Sequence, residues 1–229
     1  MKIFGISDLH LSFESDKPMD IFGGWSNHTE RIKANWTRLV EDDDIVVLPG
    51  DFSWALKLEE TKKDFQFLDS LPGKKVIIKG NHDLWWSTAK KIHEFFKENN
   101  INTVEIVFNS MYKVGDFAIC GSRGWLYEKT EDKVIALREA GRLKTSLSSA
   151  LKDNLTPIVF MHYPPVYAEQ IAEPIIEVLK EFNVKTVYHG HIHGAGMHHI
   201  IKEFEGISFK LISCDCIDFT PYFIKDVKK

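Results

Sequence analysis

The chain has 229 residues, 44% hydrophobic and 27% charged, proportions of a soluble globular protein that exclude disordered and fibrous classes. Lys and Arg number 29 against 33 Asp and Glu, a formal net charge of −4, so nothing general attracts it to nucleic acid or anionic lipid, and an anionic substrate needs a local positive site. No apolar run is long enough for a membrane span and no secretory leader follows Met1, which points to the cytoplasm, where the three cysteines are expected as reduced core thiols.

In chain order, the first strand is expected at "KIFGIS", followed by a long polar loop from Ser12 to Ser26. An amphipathic helix over Asn27 to Val40 would bury Ile32, Trp36, Leu39 and Val40, with Asn27 as N-cap and Glu30 as its capping-box partner. "DIVVLP" reads as the next strand, and a helix over Leu56 to Leu71 would bury Leu58, Phe65 and Leu68. "KVIIK" follows, then a helix over Trp85 to Asn99 with Ile92, Phe95 and Phe96 inward. The stretch "VEIVFNSMYKVGDFAICG" predicts a hairpin centred on Asn109 and Ser110 and contains the strand "FAIC". A helix over Glu131 to Leu151 would turn Val134, Leu137, Leu147 and Leu151 to the core, and "PIVFM", "KTVY" and "FKLIS" complete the strands. Strand-helix alternation passing into a strand-rich middle predicts an α/β fold with a mixed sheet. No repeat or linker divides the chain, so one domain over residues 1–229 is expected.

The chemistry sits where these strands end. "DLH" follows the first, "GD" the second, "GNHD" the third, "HYPP" follows "PIVFM", and "HGHIHG" follows "KTVY". Ligands of open α/β sheets gather at the carboxyl ends of strands, where side chains from neighbouring strands converge. Imidazoles mixed with carboxylate and amide oxygens, without thiolate, suit Mn, Fe or catalytic Zn rather than structural Zn. Unpaired carboxylates and imidazoles buried together would otherwise be costly.

This set resembles the scattered signature of the calcineurin-like metallophosphoesterase superfamily: D-x-H, G-D, G-N-H-D/E, H and G-H-x-H. The matches are Asp8 and His10; Gly50 and Asp51; Gly80, Asn81, His82 and Asp83; His162; and Gly190, His191 and His193. They lie in the family order and span residues 8 to 193. The resemblance implies a two-sheet mixed β sandwich flanked by helices on both faces, in four layers. It also implies two divalent transition-metal ions, Mn first with Fe or Zn compatible, bridged by Asp51. One would take Asp8, His10 and His193, the other Asn81, His162 and His191. The two ions outweigh Asp8, Asp51 and a bridging hydroxide, which leaves positive charge facing a phosphate, and the neutral amide of Asn81 preserves that excess. His82 matches the family's proton donor to the leaving oxygen, with Asp83 either orienting its ring or capping the helix that follows.

Arg123 in "CGSRGW" lies in a glycine-flanked loop after a strand and is a candidate to bind the substrate phosphate. His28, His93, His189, His198 and His199 match no family position and are expected on the surface or behind the ligands. Trp25, Trp54, Trp85, Trp86 and Trp125 crowd the motifs; core packing is the expected use of such large rings, with a rim that stacks on a base or sugar as the alternative. Trp54 stands where many family members carry Asp or Asn, and the arginine-bearing blocks of the protein phosphatase branch are absent, which disfavours protein phosphatase activity. The expected activity is metal-dependent hydrolysis of a phosphomonoester or phosphodiester in a small phosphorylated substrate. The alternative is a metal-binding scaffold that keeps the fold with weak catalysis or none. No membrane partner is expected, nucleic acid is disfavoured by the acidic balance, and oligomeric state is open.

Overall fold

The computed structural model describes residues 1–126 and 132–228. In chain order these form β1 (Lys2–Gly5), α1 (His28–Leu39), β2 (Ile45–Pro49), α2 (Lys62–Ser70), β3 (Lys74–Ile78), α3 (Ala89–Glu98), β4 (Val104–Ile106), β5 (Tyr112–Val114) and β6 (Phe117–Ser122). Then come α4 (Asp132–Lys152), β7 (Thr156–Met161), β8 (Val166–Tyr167), β9 (Gln170–Ile171), α5 (Glu173–Glu181), β10 (Thr186–His189), β11 (Glu203–Phe204), β12 (Ile207–Leu211) and β13 (Tyr222–Asp226).

Two mixed sheets result, in the orders β13-β1-β2-β3-β4 and β11-β12-β10-β7-β6-β5. Pairing within β1-β2-β3-β4 and within β12-β10-β7-β6 is parallel, and β13, β11 and β5 add antiparallel edges. Period-two alternation decides what each strand face meets. On β2, Ile45 and Val47 join Phe160 of β7 and Ile119 of β6 in a core between the sheets. Val46 and Leu48 point the other way, into a core with Ile32 and Trp36 of α1, Phe65 of α2 and Ile92 of α3. On the far side, Val159 and Met161 of β7 meet Leu143 and Leu147 of α4 and Ile175 and Leu179 of α5. The α/β sandwich of two mixed sheets flanked by helices is therefore present, and each strand run read from the sequence forms within a few residues of its expected bounds. No helix among the described residues is long and apolar enough to cross a membrane.

Several local expectations are corrected. Asn27 precedes α1 in the left-handed region (φ 52°), and its side chain makes no capping bond, so the Asn27/Glu30 capping box does not form. The buried stripe of α1 is His28, Ile32 and Trp36 at i, i+4, i+8, which turns Leu39 to solvent. The predicted Leu56–Leu71 helix is a 3₁₀ turn over Leu58–Thr61 followed by α2. α3 begins after Trp85 and Trp86, and Thr88 caps it by accepting from the Lys91 N–H.

The predicted start of the fourth helix, Glu131, lies outside the described residues. Within α4 the buried face is Ala136, Glu139, Ala140, Leu143, Ser146, Leu147 and Ala150, while Val134, Leu137 and Leu151 are exposed. Leu143 and Leu147 anchor the buried face between small residues, so Leu147 is inward as expected while Val134, Leu137 and Leu151 fall on the far side. The hairpin centred on Asn109 and Ser110 is not formed. β4 pairs with β3 in the first sheet and β5 with β6 in the second, so Asn109 (φ 56°) stands in a crossing between sheets. The true hairpin turns at Gly115 (φ 57°) and Asp116. α5, whose apolar run "IIEVL" follows Pro174, has no counterpart in the sequence reading.

Candidate metal centre

The carboxyl ends of β1, β2, β3, β7 and β10 lie side by side, and the loops leaving them carry the candidate ligands. Asp8, His10, Asp51 and His191 all adopt positive φ, at 63°, 46°, 51° and 71°. Such strain is retained where surrounding structure over-determines it, as at functional sites. Backbone bonds do that here: Asp8 donates to the Gly50 carbonyl at 3.0 Å and His10 to that of Asp51 at 3.0 Å. The neighbouring glycines are explained by space. A Cβ on Gly80 would overlap the Asp51 carboxylate, and one on Gly190 would overlap that of Asp8.

Two clusters of donor atoms result, Asp8 with His10 and His193, and Asp51 with His162 and His191. Asn81 completes the second, its Oδ1 lying 2.6 Å from His162 Nε2 and 2.9 Å from His191 Nδ1. Asp51 Oδ2 is 3.4 Å from His162 Nε2 and 4.0 Å from His10 Nε2, so one carboxylate faces both clusters.

The donor chemistry fits cations. His162 Nδ1 lies 3.1 Å from the Pro49 carbonyl, which claims that nitrogen's proton and leaves the Nε2 lone pair facing the oxygens of Asn81 and Asp51. Lone pairs turned on one another require a proton or a metal between them. Burial works against charge on His162, yet Asp51 and Asp8 outweigh it and hold the ring up to about 9. His193 is likewise held up to about 10, where burial is overcome by Asp215 and Asp8. Asp8 and Asp51 stay below the ordinary carboxylate range against the pull of burial, because imidazoles surround them. Burial keeps His10 and His191 neutral, down to about 4 and about 3. Among the described residues, His10 Nδ1 is buried without a hydrogen-bond partner, and His193 Nε2 faces Asp8 Oδ1 at 3.2 Å. The cluster thus has an excess of buried acceptors that divalent ions would satisfy.

His82 adjoins both clusters. Its backbone N–H donates to Asp51 Oδ1 at 2.8 Å, and its ring packs on Trp54 at 4.4 Å between centroids. Asp83 takes neither role expected of it. Its carboxylate accepts from the N–H groups of Gly80 (2.7 Å), Phe52 (2.9 Å), Asp51 (3.0 Å) and Ser53 (3.4 Å) and from the Trp85 indole (3.0 Å). These bonds clamp the β2 loop to the β3 loop instead of orienting His82, and Thr88 is the helix cap. Burial, reinforced by Asp51, pushes Asp83 up to about 6.

Arg123 also departs from expectation. Its guanidinium lies over Trp125 at 4.7 Å and 3.6 Å from Glu139 of α4, whose side chain is fully buried. Trp125 is tilted against Tyr163 at 5.0 Å, and Tyr163 against His191 at 4.0 Å, so the partners of this guanidinium are an aromatic ring and a buried carboxylate. Glu139 needs compensating charge, and Arg142 also supplies it at 3.1 Å.

The sequence reading missed Asp215 and Ser213. Asp215 Oδ1 lies 2.8 Å from His193 Nδ1, and the Ser213 hydroxyl donates to Asp8 Oδ2 at 2.9 Å. The only signal for either was their place at the end of a predicted strand, where "FKLIS" runs into "CD". Of the unmatched histidines, His189 and His28 are buried and the others lie nearer the surface. Cys120 and Cys214 are buried thiols as expected, but Cys216 is exposed.

A family model for calcineurin-like phosphoesterases matches residues 1–195, a span that contains every candidate ligand. The chain belongs to the calcineurin-like phosphoesterase family. An uncharacterized protein of Methanocaldococcus jannaschii, MJ1445, is 33% identical over 87 residues, covering 36% of this chain and 47% of that protein, so the match spans about half of the relative. Among solved structures, a protein of unknown function from Aquifex aeolicus, AQ665, superposes with a TM-score of 0.52 at 17% identity over 97% of this chain and 95% of its own. That likeness shows the fold alone. A phosphopantetheinyl hydrolase from Mycobacterium tuberculosis superposes with a TM-score of 0.49 at 14% identity, covering 93% of this chain and 88% of that one.

Proposed function

We propose that this chain is a metal-dependent phosphoesterase that hydrolyses a phosphomonoester or phosphodiester bond in a small phosphorylated substrate. One observation carries the reading: two clusters of buried ligand atoms share the Asp51 carboxylate between them. Asp8, His10, Asp51 and His193 would hold one ion, and Asp51, Asn81, His162 and His191 the other. When bound, the ions would activate water as the nucleophile and draw charge from the phosphoryl oxygens.

The remaining work falls to the chain. Asn81 contributes an uncharged oxygen, so the ligand set does not cancel the positive charge on which a phosphate would dock. His82 donates a proton to the leaving oxygen; its backbone is held by Asp51 and its ring by Trp54, which keeps the imidazole at the edge of the clusters. Asp215 and the Pro49 carbonyl fix which nitrogen of His193 and His162 carries the proton. Mn is the metal we favour, since imidazole and oxygen donors suit it. The buried thiols accord with a reducing compartment such as the cytoplasm.

The test is a panel on protein reconstituted with Mn2+: an aryl phosphomonoester, an aryl phosphodiester, cyclic nucleotides and dinucleotides, with and without chelator. Metal-dependent turnover of at least one member is expected. Inertness across the panel with both ions bound would favour the scaffold reading.

A further inference from the structure

Beside the cluster of Asp8, His10 and His193 lies a cavity of about 390 Å³ to which the reading above assigns no part of the substrate. Its walls are Met19, Phe22 and Trp25 from the loop after β1, and Trp54 from the loop after β2, with His10, His82 and His193 at its inner end. The two loops are tied where the Trp54 indole N–H donates to Met19 Sδ at 3.3 Å. His10 lies between the indoles, stacked on Trp54 at 4.7 Å and 20° and tilted to Trp25 at 5.9 Å. Phe22 is 51% exposed at the mouth.

We propose that this cavity receives an uncharged aromatic ring as the leaving group of the phosphoester, and so selects substrates of that class. The inference rests on the hydrolase reading above. Three observations support it. Among the described residues, no lysine or arginine lines the cavity to hold an anionic extension such as a polyphosphate or acidic side chain, and the one carboxylate there, Asp215, is engaged by His193 and the Gly194 N–H. The walls offer ring faces and edges, which prefer an aromatic guest to an aliphatic one of equal size. The volume falls in the range of small-ligand pockets. His82 opens on this same cavity, so the group seated there is the one it would protonate. In the step, the water oxygen forms a bond to phosphorus while the bond from phosphorus to the leaving oxygen breaks. That oxygen takes the proton of His82, the attacking water gives up a proton to solvent, from which His82 is reprotonated, and a phosphomonoester yields phosphate and a neutral aromatic alcohol.

The test separates the pocket from the chemistry. Benzylphosphonate, cyclohexylmethylphosphonate and ethylphosphonate, none of them hydrolysable, are titrated by calorimetry into the Mn-loaded protein, and the matching phosphate esters are assayed for turnover. Benzylphosphonate should bind about tenfold more tightly than either other ligand. Phe22→Ala should pull that ratio toward one while metal content stays at the parent value. Trp54→Ala is a weaker probe because it also touches His10. Equal affinities for benzyl and cyclohexylmethyl, or no binding of any of the three, would overturn the proposal, whether or not the esters turn over. Selective binding of benzylphosphonate without turnover of any ester would uphold the pocket and remove the hydrolase reading.

Discussion

Asp215 Oδ1 lies 2.8 Å from Nδ1 of His193, and the opposite ring nitrogen of His193 lies 3.2 Å from Asp8 Oδ1. A carboxylate behind an imidazole holds the tautomer that presents a lone pair forward and raises its basicity as a ligand. Asp215→Asn should therefore weaken metal binding at the Asp8 cluster by about 10- to 100-fold. Competition titrations of Mn2+ against a chelator measure this, and equal affinities for parent and variant would show that Asp215 does not support the ligand.

Metal stoichiometry is the second expectation. Gentle purification and Mn2+ loading should give about two ions per chain, as a shared carboxylate between two clusters implies. Asp51→Asn should lower the count, since both clusters face that carboxylate. A count near zero for the parent, unaltered in the variant, would end the dimetal reading.

His82→Ala should retain both ions and slow turnover most for substrates with basic leaving oxygens, because proton donation matters when the departing oxygen cannot leave as an anion. A series from nitrophenolate to alkoxide leaving groups, run on parent and variant, reads this directly. Losses equal across the series contradict the acid role.

Arg123 is expected to act on stability. Arg123→Ala leaves Glu139, whose side chain is fully buried, with Arg142 as its nearest cation, at a cost of about 1–3 kcal/mol. The melting temperature should fall by roughly 2–4 °C per kcal/mol for a chain of this size. kcat/KM on any substrate found should stay at the parent value, and the reverse pattern would restore the phosphate clamp.

Asp64 sets a pH dependence away from the metal ligands. It is buried on α2, accepts from the Phe13 N–H at 2.9 Å and from the Ser53 hydroxyl, and burial pushes it from 3.8 up to about 6. Between those values the folded chain keeps a proton that the unfolded chain has released, so this group's contribution to stability is complete below about pH 4 and is lost as the pH rises through 6. Asp64→Asn should remove that component. The stability difference between pH 4.5 and 7.5 should change by up to about 2 kcal/mol relative to the parent, seen in urea titrations at the two pH values. Superimposable pH profiles would mean that Asp64 ionises normally in the fold.

Whatever depends on neighbours in the chain was legible in the sequence. The runs "DIVVLP" and "PIVFM" are strands because β-branched and aromatic residues fill both faces of a buried sheet, and the Asp, Asn and His residues that follow them were visible as groups at strand ends. Gly80 and Gly190 stand beside the ligands where the carboxylates of Asp51 and Asp8 fill the space a side chain would need. Each glycine directly precedes a ligand in the chain, Asn81 and His191, and that adjacency is what leaves a motif.

Other features were decided by what the folded chain brings from afar. Leu137 looks like a core residue by its chemistry, yet α4 buries Ala140, Leu143 and Leu147 instead, because the face a helix turns inward is set by the sheet and helix it packs against. Asn109 carries a turn signal, but whether the turn closes a hairpin or crosses between sheets depends on the partner each flanking strand finds, and β3 and β6 lie in different sheets. Asp83 and Arg123 were assigned by proximity in sequence to His82 and to a strand end, whereas the unpaired amides after β2 and the buried Glu139 claimed them in space. Asp215 joins the site from 22 residues beyond His193. A hydrogen bond of that kind leaves no period in the sequence, because it is fixed by where two loops meet and not by how either one is spaced.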